Sequence, residues 1–130
     1  MSPLFQTGDF TLHSGEKSNK LIDCSALTDE DIRSIAAWLH EMIGGYRHVY
    51  SIPRGGDRLA NAMFSYVSKD EKRVLIVDDV LTTGESMLAE YDKLSKTYSS
   101  KHIIGAVIFA RRPTPYWVTA LWNLPEGKKL

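Results

Sequence analysis

Residues 74–87 read VLIVDDVLTTGESM: four apolar residues, two adjacent carboxylates, a Thr-Thr-Gly turn and the start of a helix-like pattern. An unbroken apolar run predicts a strand covered on both faces, the setting of a parallel sheet. Asp78 and Asp79 then fall at its carboxyl end, where open α/β sheets bind ligands. Beyond them, Thr82, Thr83 and Ser86 offer hydroxyls, Gly84 permits a turn with inward-facing amides, and Glu85 opens the helix. Amide nests and helix N-termini attract phosphate. The two aspartates would repel it, so their part must differ: carboxylates accept hydrogen bonds from sugar hydroxyls. A ligand with a phosphate at one end and a vicinal diol beside it suits both halves, and a ribose 5-phosphate is such a ligand. The alternative is an ordinary capped strand-to-helix turn with solvated acids in front of it.

Outward from this stretch the same order repeats. Residues 46–52 (YRHVYSI) predict a strand, PRGG (residues 53–56) a turn, and Leu59, Met63, Tyr66 and Val67 a short helix. Upstream, Thr28 is a candidate N-cap followed by Asp29, Glu30 and Asp31, and Ile32, Ile35, Ala36, Leu39 and Ile43 share one helical face before Gly44-Gly45. Downstream, Met87, Leu88, Tyr91 and Leu94 predict a helix and residues 102–110 (HIIGAVIFA) another buried strand. The remainder, with Trp117 and Trp122, reads as a short strand and a loop. Residues 8–27 read as a small hairpin-like or irregular layer. Strand, loop and helix in repetition predict an α/β fold with a mostly parallel central sheet flanked by helices.

Composition narrows the class. The chain has 130 residues, which predicts one domain over 1–130, and Lys+Arg equals Asp+Glu at 16 each. No bulk field points to nucleic acid or an anionic membrane. Cys24 is the single cysteine, which excludes an internal disulfide and a cysteine-rich metal site and fits a reducing compartment. No apolar run approaches the ~18–20 residues of a membrane span, and MSPLFQTGDF lacks a signal-peptide pattern. A cytoplasmic protein is the expectation.

The second loop, SIPRGGDRLA (residues 51–60), also ends a strand and opens a helix. Gly55 and Gly56 allow close backbone approach and Arg54 adds a fixed charge with several donors, which suits a pyrophosphate. A plain turn with a solvated arginine has the same composition. Neither loop is a Walker A sequence.

VLIVDDVLTTGES resembles the phosphoribosyl pyrophosphate (PRPP) signature of the type I phosphoribosyltransferases, and IPRGG with the following Leu-Ala resembles that family's pyrophosphate loop. GDFTLHSGEKSNKLID (residues 8–23) is similar to the hood segment of the orotate members, and LWNLPEG (residues 121–127) more distantly to a hood strand of the purine members. The resemblance implies a small hood from residues 1–27, with residues 115–130 a further candidate, over the parallel sheet. It implies transfer of ribose 5-phosphate from PRPP to a nucleobase, orotate favoured, with pyrophosphate released. Asp78 and Asp79 would hold the ribose hydroxyls; Thr82, Thr83, Gly84, Glu85 and Ser86 the 5-phosphate; Arg54, Gly55 and Gly56 the pyrophosphate. His13, Ser14, Lys17, Arg111 and Trp122 are candidates for the base or hood. Mg²⁺ would arrive with PRPP, with no direct protein ligands, and a homodimer and a non-proline cis peptide at or beside Arg54 are implied.

The sequence also departs from that family. His13 stands where the orotate members often have Lys, and their aromatic pair becomes Lys20-Leu21 or Leu21-Ile22. A strand and long mobile catalytic loop normally precede the PRPP strand; here only SYVSKDEK (residues 65–72) stands there, with Lys69, Lys72 and Arg73 the nearest cations. A non-catalytic PRPP- or nucleotide-binding regulatory protein is therefore the alternative. A receiver domain, which also opens on VLIVDD, is excluded: 51 residues follow Asp79, and the one later aspartate, Asp92, falls in a predicted helix.

Overall fold

The apolar run forms strand β4 (Val74–Leu81) at the interior of a four-stranded sheet. The structure, a computed structural model, describes residues 3–12 and 15–124. β3 (His48–Ser51), β4, β5 (Ile103–Ala110) and β6 (Val118–Asn123) lie in that order, and all three pairings are parallel. Val74, Leu75, Ile76 and Val77 have no solvent exposure, as a strand covered on both faces requires. Helices α1 (Asp29–Ile43) and α2 (Asp57–Met63) cover one face, where Ile32, Ile35, Leu39, Leu59 and Met63 meet Leu75, Val77 and Ile108. Helix α3 (Glu85–Leu94) covers the other, where Met87 and Leu94 meet Val74, Ile76 and Val107.

Residue 28 starts α1 as its spacing predicts. Thr28 Oγ1 accepts from Asp31 N at 3.0 Å and Asp31 Oδ2 accepts from Thr28 N at 2.9 Å, a reciprocal cap that satisfies two donors at the helix start. β1 (Phe5–Thr11) and β2 (Lys17–Ile22) form a separate antiparallel hairpin, the predicted N-terminal layer, which begins three residues earlier than expected. Its seat is built by two arginines at the end of β5. Arg111, 5% exposed, donates to Lys20 O at 2.9 Å and Ser18 Oγ at 3.4 Å, and Arg112 pairs with Glu16 at 2.8 Å. Phe5 of the hairpin meets Phe109 edge-on at 5.6 Å.

Two expectations change. Residues 118–123 belong to the central sheet as β6, paired with β5 and joined to it by residues 111–117 alone, so this part of the C-terminal stretch is not hood. Residues 125–130 lie outside the described residues. The predicted helix after PRGG ends at Met63, and a 3-10 turn (Phe64–Tyr66) and an irregular run lead to β4. Residues 64–73 contain no strand. They pass beneath the sheet: Ser68 N donates to Tyr46 O, and Arg73 donates to Ile43 O at 2.6 Å and Gly45 O at 2.7 Å. Arg73 precedes β4, and five residues of strand separate Val74 from Asp79, roughly 16 Å. Lys69, Lys72 and Arg73 therefore sit at the end of the sheet opposite the two acids. No helix among the described residues is long and apolar enough to cross a membrane.

Candidate active site

Both loops singled out by the sequence leave neighbouring parallel strands at the same level. Ser51, the last residue of β3, pairs with Val77, and Ile52 N donates to Val77 O at 2.9 Å. The β3–α2 loop and the two acids are thereby held side by side, with strand spacing of about 4.8 Å.

In the β3–α2 loop the Pro53–Arg54 peptide is cis. Asp57 N donates to Arg54 O at 3.0 Å, and Gly56 N donates to Ile52 O at 2.8 Å. The Gly56 amide is thus committed within the loop. Gly56 has a different need: a Cβ there would lie 2.5 Å from Val77 O and 2.9 Å from Ile52 O, so only glycine lets the loop lie on the end of β4. At Gly55 the added Cβ would lie 2.5 Å from Asp79 Oδ1. Ser51 Oγ donates to Asp57 Oδ1 at 2.5 Å and braces the loop from below.

Asp78 and Asp79 are both half-buried. Asp78 Oδ1 accepts from Asp79 N at 2.8 Å, and Asp79 Oδ1 accepts from Val80 N at 2.7 Å, so one oxygen of each carboxylate is fixed by backbone. Burial first, and the Asp79 charge second, push the Asp78 carboxyl up to about 8. Cys24 lies against this pair. Burial, then Asp79 and the other acids, push its thiol up to about 12, so at neutral pH it is an uncharged thiol beside the pair.

In the β4–α3 loop, Gly84 has φ +88° and ψ −1°, a left-handed conformation that favours glycine, and it precedes α3 directly. Thr83 Oγ1 accepts from Glu85 N at 3.2 Å. The next amides, of Ser86 and Met87, lie in the first helical turn, which has no intrahelical acceptors for them. Ser86 and Glu85 are exposed, whereas Thr82, Thr83 and Gly84 are half-buried.

A cavity of about 400 Å³ opens between the strand ends and the starts of α1 and α2. Of the residues singled out by sequence, Arg54, Gly55 and Asp79 line it; Asp78 and residues 82–86 stand beside it at the same sheet edge. Ile32, Leu59 and Ile108 form an apolar floor, and Cys24, Ser25, Asp29 and Arg58 complete the rim. Those four rim residues were missed by sequence reasoning. Asp29 reads as a helix-start charge, while Arg58 carries a signal that could have found it, an arginine four residues after Arg54. Among the described residues no group of three or more His, Cys, Asp and Glu could hold a metal ion.

The remaining candidates are placed differently. His13 and Ser14 lie outside the described residues. Lys17 is exposed at the start of β2. Arg111 is neither solvated nor in the cavity; its guanidinium holds the hairpin. Trp122, 41% exposed, stacks on Phe109 at 5.3 Å and meets Trp38 edge-on at 6.4 Å, which puts it under the hairpin side rather than in the cavity.

Comparison with known proteins agrees with this arrangement. The family model for the phosphoribosyl transferase domain matches residues 65–118, the segment that carries β4, the β4–α3 loop and β5. No curated protein sequence matches the chain. Among solved structures, the orotate phosphoribosyltransferase from Aeropyrum pernix superposes with a TM-score of 0.73 at 22% identity, covering 93% of this chain and 88% of that one. The Mycobacterium tuberculosis H37Rv orotate phosphoribosyltransferase, solved with Fe(III) dicitrate, gives 0.67 at 18% identity over 92% and 89%. The Giardia lamblia APRTase complexed with 9-deazaadenine gives 0.61 at 14% identity over 82% and 88%. Residues 65–118 therefore match the phosphoribosyl transferase domain model, and the chain as a whole has the fold seen in these phosphoribosyltransferase structures.

Proposed function

We propose that this chain is a PRPP-dependent phosphoribosyltransferase that joins a nucleobase, orotate favoured, to ribose 5-phosphate and releases pyrophosphate. One observation carries the reading: two anion-suited loops leave adjacent parallel strands at one level, with two carboxylates between them. PRPP has the complementary layout, a phosphate and a pyrophosphate at opposite ends of a ribose diol.

In this reading Asp78 and Asp79 each use the oxygen left free by the backbone to accept from a ribose hydroxyl. Thr82, Thr83, Gly84, Glu85 and Ser86 hold the 5-phosphate, and Arg54 with the Gly55 amide holds the pyrophosphate, with Gly56 setting the loop on the strand. A base nitrogen attacks C1 as the bond from C1 to the pyrophosphate oxygen breaks, and the electron pair leaves with pyrophosphate. The negative charge held on the acid pair favours the positive charge that develops on the ring. Each already has one oxygen fixed, and among the described residues no third acid joins them, a donor set that suits a metal carried by substrate better than a protein cage. Mg²⁺ bound to PRPP would supply charge neutralisation at the pyrophosphate. The hairpin, with Lys17, covers the base; Arg111 and Trp122 support it from below. A homodimer in a reducing, cytoplasmic setting completes the proposal, and the half-exposed Trp38 and Trp122 support a packing surface.

A second reading, a non-catalytic PRPP- or nucleotide-binding regulator, is favoured by residues 64–73, which carry no lid and lie at the far end of the sheet. The two are separated by incubating the protein with PRPP, Mg²⁺ and orotate, uracil, hypoxanthine or guanine and following pyrophosphate. Base-dependent release supports the transferase. Saturable PRPP binding without release in any of the four supports the regulator.

A further inference from the structure

Arg58, in the first turn of α2, lines the same cavity as Arg54 and Gly55. Its guanidinium donates to Leu27 O at 2.8 Å, Cys24 O at 3.4 Å and Asp29 Oδ1 at 3.0 Å. All three acceptors belong to the segment that leaves the hairpin and starts α1. An arginine offers five N–H donors in a fixed fork, so these contacts leave two for a further acceptor. The side chains of Arg58 and Asp29 are 42% and 87% exposed, a class of ion pair that contributes little to stability and is readily exchanged.

The cavity rim carries Arg54 and Arg58 against Asp29 and Asp79. If Asp29 withdraws, two guanidiniums face whatever enters, and a polyanion with several acceptor oxygens competes well with a single exposed carboxylate. The other cations near this point in the sequence, Lys69, Lys72 and Arg73, stand at the opposite end of the sheet. Negative charge grows on the leaving pyrophosphate as its bond to C1 breaks, and a positioned guanidinium stabilises that charge more in the transition state than in the bound substrate.

We propose that Arg58 is a second pyrophosphate-binding residue, held by Asp29 in the unliganded protein and handed to the pyrophosphate when substrate enters. The inference rests on the phosphoribosyltransferase reading above and deepens it, because it names an in-chain cation for the leaving group where no lid supplies one. Asp29 is the competing anion in this scheme, so its removal strengthens binding, whereas a purely structural tie predicts no gain.

The test titrates inorganic pyrophosphate and ribose 5-phosphate separately into the full chain at fixed Mg²⁺. Arg58→Ala is expected to weaken pyrophosphate at least tenfold and leave ribose 5-phosphate within twofold of wild type. Arg58→Lys, which keeps the charge but not the fork, is expected to fall between. Asp29→Asn is expected to tighten pyrophosphate several-fold with an unchanged far-ultraviolet spectrum, and this arm holds even where Arg58→Ala folds poorly. Unchanged or weaker pyrophosphate binding in a folded Asp29→Asn protein overturns the proposal, as does an equal loss of both probes in Arg58→Ala. Wild-type protein that binds neither probe overturns the phosphoribosyltransferase reading itself, a result distinct from a failure of Arg58 alone.

Discussion

Gly55→Ala separates the site from the fold. A Cβ at residue 55 would lie 2.5 Å from Asp79 Oδ1 and 2.8 Å from its Cγ, with no backbone atom among its nearest contacts. The side chain can yield, but Oδ1 is the atom that accepts from Val80 N at 2.7 Å, so yielding breaks that bond. The stability loss is that of one net hydrogen bond, about 1 kcal/mol. The binding loss is larger, because Asp79 can no longer present its other oxygen to a ribose hydroxyl. Hydrogen bonds to charged groups contribute about 1.5–3 kcal/mol, which corresponds to about a 10- to 150-fold weaker Kd for PRPP. Gly56→Ala is the control. Its Cβ would meet the Val77 and Ile52 carbonyl oxygens, backbone that cannot step aside, and overpacking of this kind costs about 1–3 kcal/mol. Calorimetric titration of PRPP with Mg²⁺ and urea unfolding, run on both variants, read the two losses separately. Wild-type affinity in Gly55→Ala, or a stability loss there larger than in Gly56→Ala, would refute the reasoning.

Other outcomes follow from the same geometry. The Asp78 carboxyl stands at about 8 in the folded chain, above its ordinary value near 3.8, so the folded state retains a proton that the unfolded state releases. Stability therefore falls as pH rises from about 4 to about 8 and levels off above; Asp78→Asn removes most of that slope in urea midpoints, and an identical slope in both proteins contradicts the assignment. Thr28→Ala removes the reciprocal cap of α1 and lowers unfolding free energy by about 1 kcal/mol, with PRPP affinity unchanged. Arg111→Met leaves the Lys20 carbonyl without its donor; amide exchange is expected to quicken across residues 5–22 while β4 and β5 stay protected, and equal protection in the hairpin would count against its anchoring role.

Much of this was legible in the sequence where one residue type serves one local need. Val74 to Val77 could only be a strand buried on both faces, Thr28 with Asp31 marked a helix start, and Gly84 marked the turn into α3. The neighbouring loops could be placed together because parallel strands carry their carboxyl ends to one side. What the sequence hid depends on partners far along the chain. Arg111 reads as a candidate for the base or hood, but nothing near it in the sequence names its acceptors, which lie 91 and 93 residues away. Residues 118–123 are an edge strand with one buried position, too weak a pattern to announce membership of the sheet. The cavity rim was hidden for the same reason: Cys24 meets Asp79, and Arg58 meets Asp29, only after the hairpin and α1 have docked.

The central claim is that one ligand spans the two loops across Asp78 and Asp79. Calorimetric titration of PRPP in the presence of Mg²⁺, repeated with saturating pyrophosphate and with saturating ribose 5-phosphate, tests it most directly. The account predicts a single saturable site that either half-ligand blocks and that Asp78→Asn with Asp79→Asn abolishes. PRPP binding that only one half-ligand competes for, or that survives the double substitution, would contradict it.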